Sequence, residues 1–218
     1  MLVTLCVDAL APNPSGIGRY TWELSQGLPR AGVETLYSGR GRRIDDPGRL
    51  LTGERLGRAP WGLRKLRKWW DHRALRRGLV HGPNYFLPSF AERGVITVHD
   101  LSVLRYPETH PAERIRAFER EFASSLRRAS HVITDTETVR QEVIADLGLP
   151  ENSVSSVHLG VDPRFRPREL AELRQALAPV GLTPGAYGLC VSTLEPRKKI
   201  DSLIEAWSGL PVSLRSRI

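Results

Sequence analysis

Two stretches of the sequence combine residue types that can hold a phosphate. Gly16 and Gly18 lie where an apolar strand passes into a helix, and glycines at such a turn let backbone N–H groups approach a phosphate closely. Arg197 and Lys198 occupy a second strand-to-helix turn, where they add positive charge to a helix N-terminus. The third glycine of a dinucleotide fingerprint is missing, which argues against NAD. Both turns favour a phosphorylated ligand.

His99 and Asp100 are candidates of a different kind. They directly follow the apolar run 95–98, at the strand end where open α/β sheets bind ligands. An imidazole and a carboxylate in that position can bind or deprotonate a hydroxyl group. The structural alternatives are a core histidine with satisfied hydrogen bonds and a carboxylate that caps a turn or helix.

The elements that must position these residues alternate between strand and helix. The predicted strands span 2–7, 33–37, 79–80, 95–98, 131–134, 154–159 and 189–191. The predicted helices span 16–28, 61–77, 111–129, 137–147, 169–178 and 200–207. Thr136 can cap the helix over 137–147, and Gly148 can end it. Residues 40–62 are rich in glycine and arginine and predict an irregular, mobile loop. This alternation predicts an α/β fold, Rossmann-like with a mostly parallel sheet.

Composition places the chain among ordinary globular proteins, with 40% hydrophobic and 26% charged residues. The net charge of +8 invites a nucleic-acid or membrane partner, yet 28 of the 32 basic residues are arginine, which is equally consistent with a coding bias. Cys6 and Cys190 lie in separate predicted strands, so we expect buried, reduced thiols and no zinc cluster. The N-terminus is a predicted strand without a cationic leader, so we expect a cytoplasmic protein.

Residues 61–77 predict a basic helix with tryptophan and leucine on one face. One interpretation is a helix that lies on anionic lipid, at the inner face of the membrane. The other, which we favour, is a surface helix whose Leu/Trp face packs on the sheet while its arginines are solvated.

Six motifs, in order along nearly the whole chain, resemble the family 4-type glycosyltransferases of the GT-B fold. They are Ser-Gly-Ile-Gly-Arg-Tyr at 15–20, His-Gly-Pro-Asn at 81–84, Val-His-Asp-Leu at 98–101, Val-Ile-Thr-Asp-Thr-Glu at 132–137, His-Leu-Gly-Val-Asp at 158–162 and Leu-Glu-Pro-Arg-Lys at 194–198. The resemblance implies two Rossmann-like domains. We expect an N-terminal, acceptor-side domain at 1–165, a linker at 166–185 and the start of a nucleotide-sugar-binding domain at 186–218.

The resemblance further implies transfer of a sugar, with retention of configuration, from a nucleotide-sugar to a saccharide or lipid-linked acceptor in cell-surface polysaccharide synthesis. No metal or other cofactor is implied. In that assignment Asp100 orients or deprotonates the acceptor hydroxyl, and His99 contacts the sugar. The remaining implied residues are Gly16, Gly18, Arg197 and Lys198 for the donor phosphates, and Asn84 and Tyr85 on the acceptor side.

The sequence departs from the family pattern in four places. Lys199-Ile200 replaces the more common pair of a small residue or Asn followed by an apolar residue. Ser192 stands where glycine is usual, and Asp135 stands where a serine-like residue is often found. The family's pair of glutamates eight positions apart would lie beyond residue 218, so we expect a truncated donor domain and little activity of this chain alone. The alternative functions are a non-catalytic remnant or a module that binds polysaccharide or nucleic acid. The absence of an RRM, helix-turn-helix or zinc pattern argues against nucleic acid, and the Leu-Glu-Pro-Arg-Lys motif argues against a sugar-nucleotide epimerase.

Overall fold

A computed structural model describes residues 1–54, 61–109, 112–192, 194 and 196–215. The chain divides into two compact units, Met1–Leu159 and Gly160–Ile218. The boundary falls just after the last strand of the sheet. The first unit carries that sheet and the candidate residues at its edge, and the second carries the basic turn at 196–199.

The first unit is built on one seven-stranded sheet with the strand order β3-β2-β1-β4-β5-β6-β7. All neighbouring strands are parallel except β2 and β3, which are antiparallel. The strands are β1 Leu2–Cys6, β2 Glu34–Gly39, β3 Arg42–Ile44, β4 Leu79–Gly82, β5 Gly94–Val98, β6 Ala129–Thr134 and β7 Val154–Ser156. The predicted Rossmann-like, mostly parallel sheet is confirmed.

Helices cover both faces of this sheet, which explains why its central strands are almost continuously apolar. The described residues form the helices α1 Gly16–Arg30, α2 Gly48–Leu51, α3 Arg64–Leu75, α4 Ser102–Arg105, α5 Ala112–Arg128, α6 Glu137–Leu147, α7 Leu170–Leu177, α8 Ile200–Ser208 and α9 Val212–Arg215. Short 3-10 turns lie at Trp61–Leu63, Pro107–Thr109, Glu151–Ser153, Ala178–Val180 and Pro196–Lys198. Over the ranges that the structure describes, none of these helices has both the length and the apolar character needed to span a bilayer.

The core shows how β1 serves two faces at once. Leu5 and Val7 join one buried cluster, against which Trp22 and Leu28 of α1 pack. Cys6 points the other way, into the cluster that includes Phe118 of α5. The predicted buried thiol at Cys6 is confirmed.

Helix α6 ends as its sequence predicts. The Thr136 side chain accepts a hydrogen bond from the Val139 N–H at 3.2 Å and so caps the first turn. Gly148 follows the last turn with a φ of 64°, a left-handed conformation that glycine adopts without strain. The preceding residue, Asp135, therefore lies between the end of β6 and the start of α6, at the carboxyl edge of the sheet.

The prediction of an irregular loop over 40–62 is wrong for its first half. Strand β3 and helix α2 form there, and β3 pairs with the end of β2 through a tight turn at Arg40 and Gly41, whose φ angles are 52° and 69°. Two positive φ values are typical of the hairpin turns that match sheet twist. The sequence pattern misses β3 because it is a three-residue, arginine-bearing edge strand. Similarly, the strand predicted over 154–159 ends at Ser156.

The segment 61–77 forms the predicted helix, but not with the predicted orientation. Its sheet-facing side carries Leu75, which is fully buried, and His72, whose ring packs against Phe90 at 5.0 Å. Trp69 and Trp70 lie on the opposite side and are more than half exposed. The favoured interpretation, in which the Leu/Trp face packs on the sheet, is therefore wrong. Helix α3 contacts the edge strand β3 and, to a lesser extent, its neighbour β2.

In the second unit the prediction of a strand at 189–191 is also wrong. Leu189 and Val191 are 75% and 86% exposed, and Cys190 is exposed rather than buried. A lone extended segment leaves its N–H and C=O groups without the pairing that a sheet supplies, and no strand is present among the described residues of this unit. The amphipathic helix predicted over 200–207 is confirmed as α8.

Candidate functional site

The candidate site lies where the strand order reverses. Strand β1 pairs with β2 on one side and with β4 on the other, and open α/β sheets bind ligands in the crevice at the carboxyl end of such a point. A cavity of about 140 Å³ lies there, lined by Cys6, Asp8, Ala9, Pro83, Asn84 and Phe86. A cleft of about 750 Å³ shares some of that lining and extends along α5 with Ser89, Arg120, Glu121, Ser124 and Arg128.

Beside the cavity, a hydrogen-bonded network joins the ends of three adjacent parallel strands. His99, after β5, pairs its Nδ1 with Asp135 Oδ2, after β6, at 2.7 Å. Its Nε2 lies 2.9 Å from the Pro83 carbonyl oxygen, after β4. Since a carbonyl accepts and a carboxylate accepts, both bonds are satisfied when both ring nitrogens carry protons. The side chains of His99 and Asp135 are only 11% and 16% exposed, so this pair is shielded from solvent.

Among the described residues that follow the strands at this edge of the sheet, two buried oxygens have no hydrogen-bond partner. They are Asp135 Oδ1 and Asn84 Oδ1. Buried polar groups are nearly always paired, so the unpaired acceptor of Asn84, which lines the cavity, indicates a place where a ligand supplies the donor. Sugar hydroxyls are such donors. Asn84 therefore stands where the resemblance implies an acceptor-side residue, and Asp135, which the motif comparison treated only as a departure, is a second candidate.

Asp100 lies at the rim of the site and is exposed. Its Oδ1 accepts a hydrogen bond from the Ser102 N–H at 2.9 Å, which caps the start of α4, and lies 3.4 Å from the Tyr85 hydroxyl. The carboxylate thus has the capping role of the structural alternative and is also accessible to a ligand. The proposed contact with an acceptor hydroxyl stays a prediction.

Tyr85 supports the site from below rather than lining it. Its side chain is buried, and its ring packs edge-on against Phe118 and Phe122 with centroids 5.2 and 5.9 Å apart. Burial and the nearby Asp100 carboxylate raise the pKa of the Tyr85 hydroxyl well above its usual range, so the hydroxyl stays protonated. Its φ of 60° is unusual for a bulky residue, and such strain is often held at functional sites. The structure places Tyr85 in the core, with only its hydroxyl at the rim.

Thr97 in β5 is a hub that the sequence patterns did not single out. Its hydroxyl lies 3.0 Å from His81 Nε2 and 3.2 Å from the Tyr20 hydroxyl. Burial, and secondarily the nearby His99, lowers the pKa of His81 to about 4, so that this imidazole is neutral at pH 7. The Tyr20 ring, from α1, stands edge-on to His99 with centroids 5.0 Å apart. Helix α1 is thereby tied to the network at its first turns.

The two glycines at the start of α1 differ in what they do. The Gly18 N–H donates to Ser15 Oγ at 3.4 Å, and a Cβ at this position would lie 2.8 Å from Pro14 Cβ and 2.9 Å from the Ala9 carbonyl oxygen. Gly18 is therefore required for packing. A Cβ at Gly16 would meet nothing within 4 Å, so at Gly16 there is open space in front of the helix N-terminus.

The other two predicted phosphate contacts belong to the second unit. Lys198 is exposed at the end of the 3-10 turn Pro196–Lys198, just before α8. The side chain of Arg197 lies outside the described residues. Lys199, the N-cap of α8, has a φ of 52° and no side-chain cap hydrogen bond.

The strand order and the cavity beside β1 define a Rossmann-like ligand-binding domain. Residues 14–165 match Glycosyltransferase Family 4, which is well over half of the chain. The chain therefore belongs to glycosyltransferase family 4, and the resemblance drawn from its six motifs is confirmed.

Two relatives from Escherichia coli are similar to this chain. The O-antigen chain mannosyltransferase B is 33% identical over 237 residues, which cover 100% of this chain and 62% of that protein. The serotype-specific mannosyltransferase WbdA is 28% identical over 143 residues, which cover 63% of this chain and 18% of that protein. The chain thus spans less than two thirds of the length of either relative.

Proposed function

We propose that this protein acts as a glycosyltransferase that moves a sugar from a nucleotide-sugar to a saccharide or lipid-linked acceptor, with retention of configuration and without a metal. The observation that carries the proposal is the family 4 match over 14–165, because that range contains Pro83, Asn84 and Phe86 of the cavity lining and the ends of β4, β5 and β6 beside it. The names of the two relatives make nucleotide-activated mannose the first donor to test and cell-surface polysaccharide the first acceptor class.

The geometry of the first unit supports an acceptor site. Asn84 Oδ1 and Asp135 Oδ1 are buried acceptors that hydroxyl groups of a saccharide can satisfy. The 750 Å³ cleft along α5 is large enough for sugar residues, and Arg120 and Glu121 line it with both charge signs. In this proposal Asp100 holds the reacting hydroxyl at the rim, while His99 positions Asp135 through their 2.7 Å contact.

The donor diphosphate requires cations and N–H groups, because negative charge develops on the departing oxygen. In the first unit, the N–H groups that we propose for this role are those at the open N-terminus of α1, at Gly16. In the second unit, the cations that we propose are Arg197 and Lys198, and each assignment is tested by itself. The described part of the second unit contains helices and no strand. We therefore expect the 218-residue chain to bind an acceptor by itself and to transfer sugar slowly.

The first experiment measures binding of mannose-terminated oligosaccharides to the 218-residue protein by calorimetry. Asn84→Ala and Asp135→Asn are each expected to weaken binding about tenfold, the effect of one lost hydrogen bond of ordinary strength. Asn152→Ala is the matched control, because Asn152 is exposed on the 3-10 turn Glu151–Ser153. Absence of saccharide binding, or equal loss in the control, contradicts the acceptor site.

The second experiment incubates the protein with labelled nucleotide-activated mannose and the same acceptors, with and without EDTA. We expect slow product formation, unchanged by the chelator, and NMR of the product should show the donor's anomeric configuration. Inverted product, or a rate abolished by EDTA and restored by Mg²⁺ or Mn²⁺, would remove the corresponding part of the proposal.

A further inference from the structure

The segment 61–77 is the most strongly positive stretch of the first unit. It carries seven basic residues and a single acidic one: Arg64, Lys65, Arg67, Lys68, Arg73, Arg76, Arg77, and Asp71. The Asp71 side chain is only 14% exposed, on the side of α3 that faces the sheet, and it lies 4.0 Å from Arg67. The segment therefore keeps an excess of positive charge, although Arg76 also lies 3.4 Å from Glu92 outside it.

The outward side of this segment is apolar along its centre. Leu63, Leu66, Trp69 and Trp70 are 53–58% exposed, although such side chains usually seek the interior. The two indole rings are in edge-to-face contact with centroids 5.0 Å apart, and the Arg73 guanidinium lies over the Trp69 ring at 5.7 Å. We call this surface the α3 face. It is made of Leu63, Leu66, Trp69 and Trp70 and of the arginines that lie between them in the sequence, Arg64 and Arg67.

The attachment of α3 to the described part of the first unit does not involve the α3 face. Helix α3 is attached to the unit through its opposite side, where Leu75 is fully buried and His72 packs on Phe90. The Thr4 hydroxyl further binds the Leu75 carbonyl oxygen at 2.7 Å, which fixes the end of the helix to β1. Two exposed tryptophans on a helix that is already anchored elsewhere indicate a contact with something outside the unit.

More positive charge lies on the adjacent side of the helix. A pocket of about 360 Å³ between α3 and the β2–β3 turn is lined by Arg40, Arg42, Arg64, Arg67, Lys68 and Asp71 together with Gly41. Five cations and one carboxylate around one pocket attract an anionic group such as a phosphate. The charge therefore extends from the α3 face onto a second element, the turn at 40–42.

We propose that the α3 face docks on the surface of an anionic lipid bilayer, with Trp69 and Trp70 at the headgroup level and the cations on lipid phosphates. Indole rings are amphipathic and settle at that depth, and arginines beside them keep their charge in water. Each cation near an anionic leaflet adds attraction, and the effect is summed over the segment. This inference goes beyond sugar transfer and does not rest on it, since docking is measured without donor or acceptor.

The test is co-flotation of the 218-residue protein with vesicles of phosphatidylcholine alone and of phosphatidylcholine with 30–40% phosphatidylglycerol, about the range of an anionic leaflet. We expect recovery with the anionic vesicles and little with the neutral ones, and at least about a tenfold loss between low and high salt. Trp69→Ala/Trp70→Ala and Arg67→Glu/Lys68→Glu should each lower the ratio of bound to free protein about tenfold or more.

Two control variants match these changes elsewhere on the first and second units. Arg116→Glu/Arg127→Glu reverses two exposed charges on α5, and Phe165→Ala removes an aromatic ring that is 73% exposed. Both should bind anionic vesicles like the unchanged protein. Circular dichroism of every variant shows whether the fold is kept. We expect the tryptophan pair to be dispensable for folding, because both side chains lie outside the core.

Several outcomes would overturn docking. Docking on anionic lipid is contradicted if the protein is recovered equally with both kinds of vesicle. The assignment to the α3 face is contradicted if the control variants and the α3 variants lose vesicle binding equally. Binding of inorganic phosphate that depends on Arg67 and Lys68, without capture by vesicles, assigns the pocket to a free anion instead. Tryptophan-dependent dimers in sedimentation velocity, again without vesicle capture, assign the α3 face to a second copy of the chain.

Discussion

The chain contains two strand-to-helix turns of similar sequence plan and opposite structural outcome. In the first, β1 delivers the chain into α1 through Ser15, which caps the helix by accepting a hydrogen bond from the Gly18 N–H. In the second, an apolar run at 189–191 leads through basic residues into α8, yet the run is exposed and the N-cap of the helix, Lys199, makes no side-chain cap hydrogen bond.

The difference lies in the neighbours of each turn, not in the turns themselves. Strand β1 has parallel partners on both sides, so Leu5 is fully buried and every backbone group in the strand has a ladder to join. The run at 189–191 has no strand beside it among the described residues of the second unit. An apolar run of three residues becomes a strand only where a sheet accepts it.

The largest expected effect is on stability, when an apolar side chain is shortened in the run that precedes each turn. Leu5→Ala should lower the free energy of unfolding by about 4 kcal/mol, because a fully buried leucine leaves a cavity. Leu189→Ala should change it by less than about 0.5 kcal/mol, because the side chain is already in water. Urea titrations followed by circular dichroism measure both values. A loss above about 1 kcal/mol at Leu189 would mean that this run is packed after all.

The next effect is a pH dependence that belongs to the first unit alone, since all six histidines precede residue 159. Burial lowers the pKa of His81 to about 4, whereas the unfolded chain binds the proton near 6.5. The unfolded state therefore gains a proton first as the pH falls, and stability present above pH 6.5 is lost by pH 4, to a total of about 3 kcal/mol.

The contribution of His81 is isolated by comparing variants across that pH range. His81→Gln should remove most of the loss, and His131→Gln, at a half-buried position where the ring pairs with the Ser155 hydroxyl, should leave it in place. An unchanged slope in His81→Gln would show that other groups carry the acid sensitivity.

The smallest expected effect is a difference in stability between alanine substitutions at the two glycines of the first turn. Gly18→Ala should destabilise the protein by about 2 kcal/mol, because the new Cβ meets Pro14 and the Ala9 backbone below 3.0 Å. Gly16→Ala should leave stability unchanged within about 0.5 kcal/mol, because the space there is open. Thermal unfolding of the two variants side by side tests this, and similar losses in both would contradict the packing role of Gly18.

The candidate site was predictable in its location and less so in its composition. His99, Asp100 and Asn84 follow apolar strands, and strand ends on a parallel sheet meet at one edge, so their proximity followed from the pattern. Asp135 was passed over because its partner, His99, lies 36 residues away and only the adjacent strands β5 and β6 bring the two together. Thr97 was not predicted either, because a threonine inside a strand is common. Its role depends on hydrogen bonds with His81 and Tyr20, which lie on other elements.

By itself, the sequence determined the alternation of strands and helices, the cap at Thr136, and the edge of the sheet where the candidate site lies. These follow from local periodicity and from hydrogen bonds between residues close in the chain. Only the tertiary structure decided that the tryptophans of α3 face outward, that β3 extends the sheet, and that the run at 189–191 stays unpaired. Each of these depends on how much apolar surface or how many free backbone groups a distant segment offers, and that is information no short stretch of sequence contains.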